Sequence, residues 1–336
     1  MTQIRWGILG LGHIAHKFAQ DLQSLPDASL HAVASTDAQR ARNFAAQYGA
    51  PHAYGSYEEL LNCPDLDVVY IATTHNHHYE NTLMCLEGGL AVLCEKPFAL
   101  NRWQVEKMVE KAREKKVFLM EALWTRFIPA VQYAVDLVKS DAIGKIKMIH
   151  ADFGFKAIFD PEKRLYNKAL GGGSLVDIGI YPLFLAYLFL GKPKTIKASA
   201  TFGETGVDEQ CGMVLTYEKG EMALLSSSIK AVTNTQAYIF GDKREIFIHG
   251  RFTGSQGLTL SNTGREGKFD SQVFSFERST FGYNYEAAHV MQCLREKRTE
   301  SPTWSLDDSL NLIDLLDAVR TEAGISYAAD ASDKSV

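Results

Sequence analysis

Across the first 120 residues, short apolar runs alternate with stretches of helical spacing, and this rhythm constrains the fold more than any other feature. Ile4 to Leu9, Leu30 to Ser35, Asp67 to Ala72, Ala91 to Cys94 and Val117 to Met120 read as strands. Between them, Ile14 to Leu25, Ala38 to Tyr48, Tyr79 to Glu87 and Arg102 to Lys115 carry the spacing of amphipathic helices. Strands separated by helices of this length are joined by crossovers rather than hairpins, so their sheet is parallel. The expected architecture is α/β: an N-terminal Rossmann-type, doubly wound parallel sheet.

After Trp124 the rhythm changes. A helix is expected over Ile128 to Lys139, followed by strands at Lys147 to Phe155, Thr195 to Phe202, Cys211 to Tyr217, Glu221 to Ser228, Gln236 to Phe240 and Arg244 to His249. One glycine-rich turn and apolar helix, Gly171 to Leu190, interrupts them. Adjacent strands with tight turns build an α+β domain with a largely antiparallel open sheet. A chain of 336 residues is long for one core. The expected division is 1–122, dinucleotide-binding, and 123–330, substrate-binding and dimerising. Helices at Asn284 to Arg295 and Leu306 to Ala323 would pack back on the first domain, the latter capped by Ser305. The tail from Ala328 onward is expected to fray.

A formal net charge of -5 argues against nucleic acid as a partner, since phosphate neutralisation needs a basic face. The 5 cysteines are widely spaced without a Cys-x-x-Cys pair. That pattern fits neither a disulfide framework nor a zinc knuckle, and a cytoplasmic location is expected. No secretory pattern opens the sequence. Ile178 to Leu190 falls short of the ~20 apolar residues a bilayer span needs, so a buried helix and no membrane partner are expected.

The turn Gly10-x-Gly12-x-x-Ala15 follows the first strand and opens the first helix. Gly10 permits the tight turn, Gly12 admits a pyrophosphate close to the backbone, and Ala15 lets helix and strand pack closely. His13 and Ile14, in the first helical turn, join the candidate dinucleotide contacts. At the end of the second strand, Ser35 and Thr36 offer hydroxyls and Arg40 a cation to a 2′-phosphate. Asp37 there reads as a helix cap or as a ribose ligand. NADP is the expected cofactor, with NAD the alternative. Thr73, His75 and His78 follow the Asp67 strand and are expected to line the nicotinamide side, with some imidazoles of this run exposed. No acidic partner accompanies these histidines, so no metal is expected.

Lys96 ends the strand over residues 91–95, where ligands sit in open α/β sheets, and Glu95 precedes it. A lysine at such a strand end is a candidate proton-transfer group. Asp177 and Tyr181 lie four apart and share a face if the turn is helical. Read alone, Gly171 to Pro182 is equally a capped helix, with Ser174 as cap and Tyr181 in the core.

Together, Gly10-x-Gly12-x-x-Ala15, Glu95-Lys96-Pro97 and Asp177-x-Gly179-x-Tyr181-Pro182 resemble the Gfo/Idh/MocA family of NAD(P)-dependent oxidoreductases. Met120 to Phe127, Ala53 to Leu60 and Glu204 to Asp208 are similar to its branch of dihydrodiol and NADP-linked D-xylose dehydrogenases. The resemblance implies Lys96 and Tyr181 as the proton-transferring pair, Asp177 as the group that orients the site, and Trp124, Arg126 and Phe153 as substrate contacts. It implies hydride transfer between the nicotinamide and a secondary alcohol or carbonyl of a sugar, polyol or trans-diol. A homodimer through the C-terminal sheet is also implied. Thr36 stands where NADP-using relatives often carry arginine. The alternative is a non-catalytic dinucleotide sensor on the same fold, which would have lost the lysine or its acid/base partner.

Overall fold

The computed structural model describes residues 3–262 and 270–334, in two compact units: Met1–Trp124 with Ser279–Leu310, and Thr125–Arg278 with Asn311–Val336. In the first, strands β1 (Ile4–Leu9), β2 (Ala28–Ala34), β3 (His52–Tyr54), β4 (Val68–Ile71), β5 (Ala91–Glu95) and β6 (Leu119–Ala122) form one sheet. Their order is β3-β2-β1-β4-β5-β6 and every pairing is parallel. Every residue of β4 and β5 is buried, as expected for central strands covered on both faces. The strand order reverses between β1 and β4, the topological switch point where doubly wound sheets open a ligand crevice.

Helices α1 (His13–Leu22), α2 (Ala38–Tyr48), α3 (His78–Glu87) and α4 (Arg102–Lys115) follow β1, β3's predecessor β2, β4 and β5. Two have side-chain caps: Asp37 accepts the amides of Gln39 and Arg40 at α2, and Asn101 accepts that of Gln104 at α4. Strand β3 has only three residues and escaped the periodicity reading.

Residues 279–310 complete this unit through a long-range cap. Helix α7 (Tyr283–Arg295) starts after Gly282, which has no side chain to cap it. The Asp21 carboxylate from α1 accepts the amides of Phe281, Gly282 and Tyr283 at 2.8, 2.7 and 2.7 Å. Asp21 is itself buried, so these charge-assisted bonds are shielded from water.

The second unit is an eight-stranded sheet ordered β14-β13-β12-β11-β7-β10-β9-β8. Its strands are β7 (Ile146–Gly154), β8 (Thr195–Phe202), β9 (Asp208–Thr216), β10 (Met222–Ser228), β11 (Ala237–Gly241), β12 (Arg244–Ile248), β13 (Gly257–Asn262) and β14 (Ser271–Ser275). Only the β7–β10 pairing is parallel. The last two strands carry serines, glycine and asparagine among few apolar residues, which is why periodicity missed them. Helices α5 (Pro129–Lys139) and α6 (Ile180–Leu190) also belong here, and α6 packs on β7 and β10. The segment Lys168–Leu190 is apolar and long enough to pass for a membrane span, yet 78% of its apolar window is buried inside the protein.

Helix α8 (Leu306–Ala323) starts as expected at Ser305, whose hydroxyl accepts the Asp308 amide while Asp308 accepts the Ser305 amide, a reciprocal cap. The tail does not fray where expected: Ala328–Lys334 forms a helical turn. Asp330 holds it by accepting the Tyr327 amide at 2.8 Å and pairing with Arg320.

Candidate active site

At the end of β1, Gly10 takes a φ of +89° and sits directly against the loop that follows β4. A Cβ there would lie 2.8 Å from both the Thr73 amide nitrogen and its methyl carbon. Gly10 therefore serves the turn and the closeness of β1 to β4 at once. Gly12 is different. It caps α1 with φ -86° and no side-chain hydrogen bond, and a Cβ there would meet nothing within 4 Å. Space is thus open over Gly12 at the start of α1, where no side chain caps the helix. That cradle fits a diphosphate, which would accept the amides and lie at the positive end of the helix. Ala15 is fully buried between helix and sheet. His13 is exposed and Ile14 partly so, at the rim of this cradle.

At the end of β2, Ser35 is buried and its hydroxyl accepts the Asp37 amide at 3.2 Å. Asp37 caps α2, and those two amide bonds hold its carboxyl below the usual range. Thr36 and Arg40 are exposed. Asp37, Arg40 and His16 line a surface cavity of about 330 Å³ beyond the strand end.

The loop after β4 is built by its histidines rather than exposing them. His78 is fully buried, with one ring nitrogen 2.8 Å from the Pro97 carbonyl and the other 3.2 Å from that of Thr73. It ties the Thr73 loop to the Lys96-Pro97 turn. His75 is also buried and packs edge-on against His78, 5.7 Å between centroids; only His77 of the run is exposed. Asn81 donates to the Thr73 hydroxyl at 3.2 Å.

Lys96 leaves β5 through a cis bond to Pro97 and is partly buried. Glu95 before it is buried, and both its oxygens are acceptors, from the Tyr70 hydroxyl and from the Lys96 amide. Tyr70 is held in turn by stacking on Phe18 at 3.8 Å. Two more carboxyls lie buried nearby. Burial pushes Glu121 up to about 7, although it accepts the Phe98 amide and the Trp304 indole N–H. Burial, with the charges of Glu95 and Asp21, pushes Glu286 well above the carboxyl range. Trp124, expected at the substrate, packs against Tyr283 at 4.8 Å.

In the second unit, Leu175–Gly179 forms one π turn that runs into α6, so Asp177 and Tyr181 lie on a locally widened helix. Such turns recur at functional sites. Gly179 is required by packing, since a Cβ would come 2.9 Å from the Ser227 hydroxyl on β10. Asp177 is buried and pairs with Arg164 at 3.0 Å. Tyr181 is buried, its ring 5.8 Å from that of Phe153 on β7. Arg126, also buried, donates to Gln132 at 3.4 Å. Ser174 does not cap this helix. Its own backbone is helical, and its hydroxyl donates to Asp208, which accepts the Leu175 amide at 2.7 Å.

Residues 4–123 match the oxidoreductase family with NAD-binding Rossmann fold, and 131–247 match the Gfo/Idh/MocA C-terminal domain. Over 331 residues the chain is 41% identical to trans-1,2-dihydrobenzene-1,2-diol dehydrogenase of Xenopus laevis, covering 96% of this chain and 99% of that one. The human enzyme of the same name is 36% identical over 333 residues, covering 97% and 99%. The chain belongs to the Gfo/Idh/MocA oxidoreductase family. Among solved structures, the 3-ketoreductase KijD10 of Actinomadura kijaniata with NADP and TDP-benzene superposes with a TM-score of 0.86 at 26% identity, covering 96% and 98%. The aldose-aldose oxidoreductase of Caulobacter crescentus gives 0.86 and 26% over the same shares.

This Gfo/Idh/MocA member is an oxidoreductase with a dinucleotide-binding Rossmann fold, as its motifs implied. Sequence reasoning missed Arg164, Asp208, Glu121 and Glu286, which hold or surround the candidate groups. None stands at a diagnostic spacing from its partner, so only folding brings them together.

Proposed function

We propose that this protein oxidises trans-dihydrodiols with NADP⁺, or reduces the corresponding carbonyls in reverse. The carrying observation is its 36–41% identity to trans-1,2-dihydrobenzene-1,2-diol dehydrogenases along nearly the whole chain, with Glu95-Lys96-Pro97 placed at a β5 end. Bound in the cradle, the nicotinamide cofactor supplies the hydride acceptor or donor. Gly12 and the α1 amides hold its diphosphate. Arg40 and Thr36, exposed beyond β2, receive the 2′-phosphate. Proton exchange with the substrate hydroxyl falls to Lys96 and Tyr181, with Asp177, fixed by Arg164, orienting the substrate.

The aromatic row on the open sheet supports a homodimer. Tyr238 stacks on Phe240 at 5.7 Å and on Phe247 at 4.5 Å, and all three stay partly exposed. Apolar rings gathered on one sheet face favour a covering partner, and a second copy fits. Five free, buried cysteines support a cytoplasmic location. The buried apolar helix supports a protein that works without a membrane.

The test is oxidation of trans-1,2-dihydrobenzene-1,2-diol, with xylose and other aldoses in parallel, each with NADP⁺ and NAD⁺. Faster diol turnover with NADP⁺ is expected, and Lys96→Met and Tyr181→Phe should each abolish turnover while cofactor still binds. Preferred aldose turnover would move the assignment to sugars. Cofactor binding without turnover on any alcohol would favour the sensor reading.

A further inference from the structure

A second cluster of ligating side chains lies in the first unit, away from the residues assigned to cofactor or substrate. His31 on β2, His52 at the start of β3 and Cys63 each present one ligand atom, and these atoms lie within 4.8 Å of one another. The two rings meet edge to face at 4.9 Å, and Cys63 is a buried free thiol. No spacing in the sequence announces the set, because β2–β3 pairing and the chain after residue 62 bring it together.

We propose that His31, His52 and Cys63 bind one Zn²⁺, leaving a fourth position to water. Zinc takes nitrogen at ~2.0–2.1 Å and thiolate sulfur at ~2.3 Å, so tetrahedral ligands stand ~3.3–3.6 Å apart. Small side-chain rotations close the present spacing to that range. An outer layer is already built. His31 Nε2 lies 3.1 Å from the Pro64 carbonyl, which can only accept, so Nε2 carries the proton and Nδ1 keeps its lone pair. A backbone carbonyl that fixes a histidine tautomer is the usual support of a metal ligand. Tyr54 bonds to Cys63 through its hydroxyl, and its ring stacks on His52 at 6.3 Å.

The site is distinct from the dinucleotide cradle. His31 lies four residues before Ser35, about 13 Å along the strand at ~3.3 Å per residue. A bound ion would pin edge strand β3 to β2 and to the connection leading into β4.

The experiment titrates the metal-stripped full chain with Co²⁺, then displaces it with Zn²⁺. One equivalent of Co²⁺ and a thiolate-to-cobalt charge-transfer band that Zn²⁺ abolishes are expected. Cys63→Ser should remove the band and weaken zinc binding at least 100-fold. His52→Gln should weaken binding at least 10-fold and shift the band, which keeps the test decisive if the serine variant misfolds. Absence of a charge-transfer band, no binding, or undiminished zinc affinity in both variants would overturn the proposal. The last result would place the ion on other histidines, such as the run at 75–78.

Discussion

Adding a single methyl group at each of the two turn glycines should separate folding from cofactor binding. At Gly12, φ is -86° and a Cβ meets no atom within 4 Å, so alanine fits the folded chain. Alanine caps helices less well than glycine, but it also lowers unfolded-state entropy by ~0.4–1 kcal/mol, and the two effects oppose each other. Gly12→Ala should therefore stay within about 1 kcal/mol of the parent. Its methyl nevertheless occupies the diphosphate approach. Losing one charge-assisted amide–phosphate bond removes ~1.5–3 kcal/mol, or roughly 10–100-fold in Kd. At Gly10 the same methyl meets Thr73 atoms at 2.8 Å on a backbone with φ +89°. Strain of ~1–2 kcal/mol and overpacking of ~1–3 kcal/mol together predict a loss of about 2–5 kcal/mol. Thermal unfolding of the apoprotein and fluorescence titration with NADPH read the two quantities separately. Equal melting losses in both variants, or parental NADPH affinity in Gly12→Ala, would refute the division of roles between these glycines.

Other expectations follow from the anchoring contacts. Asp21→Ala leaves buried amides at the start of α7 without an acceptor and should cost about 2–4 kcal/mol in urea unfolding; a loss below about 1 kcal/mol would show that another group caps this helix. Glu121, raised to about 7, keeps its proton in the folded state while the unfolded chain releases it from about pH 4.5. Stability is therefore whole below that pH and falls as pH rises through 7. Between pH 5 and 8 the parent should lose about 2–3 kcal/mol more than Glu121→Gln, and matching pH slopes would contradict this. Gly179→Ala places a methyl 2.9 Å from the Ser227 hydroxyl. It should destabilise by about 1–3 kcal/mol, and Ser227→Ala in the same chain should recover part of that; an unrecovered loss would locate the clash elsewhere.

The parallel half was readable because its strands and helices differ in period and its glycine turn has one mechanical purpose. Predicted bounds for α2, α4, β8 and α8 coincide with those observed. Strands β3, β13 and β14 were not readable, since three residues or a serine-rich run carry no usable alternation. The misreading of Ser174 has a specific physical cause. A serine before an apolar run usually caps it, but the Ser174 hydroxyl donates to Asp208, 34 residues downstream, which also accepts the Leu175 amide. The buried carbonyl contacts of His78 were unreadable for the same kind of reason, since Pro97, 19 residues downstream, supplies one of them.

These cases share a design that bears on how the site keeps its geometry. Two residues after Lys96, the Phe98 amide is held by buried Glu121; two residues before Asp177, the Leu175 amide is held by buried Asp208. In each unit the main chain beside a candidate group is held by a carboxyl from elsewhere in that unit, in addition to contacts near in sequence such as Glu95 on the Lys96 amide. Burial raises both anchors, to about 7 and about 6. Motif residues mark the candidate groups, whereas distant carboxyls, invisible in any local pattern, hold the main chain beside them.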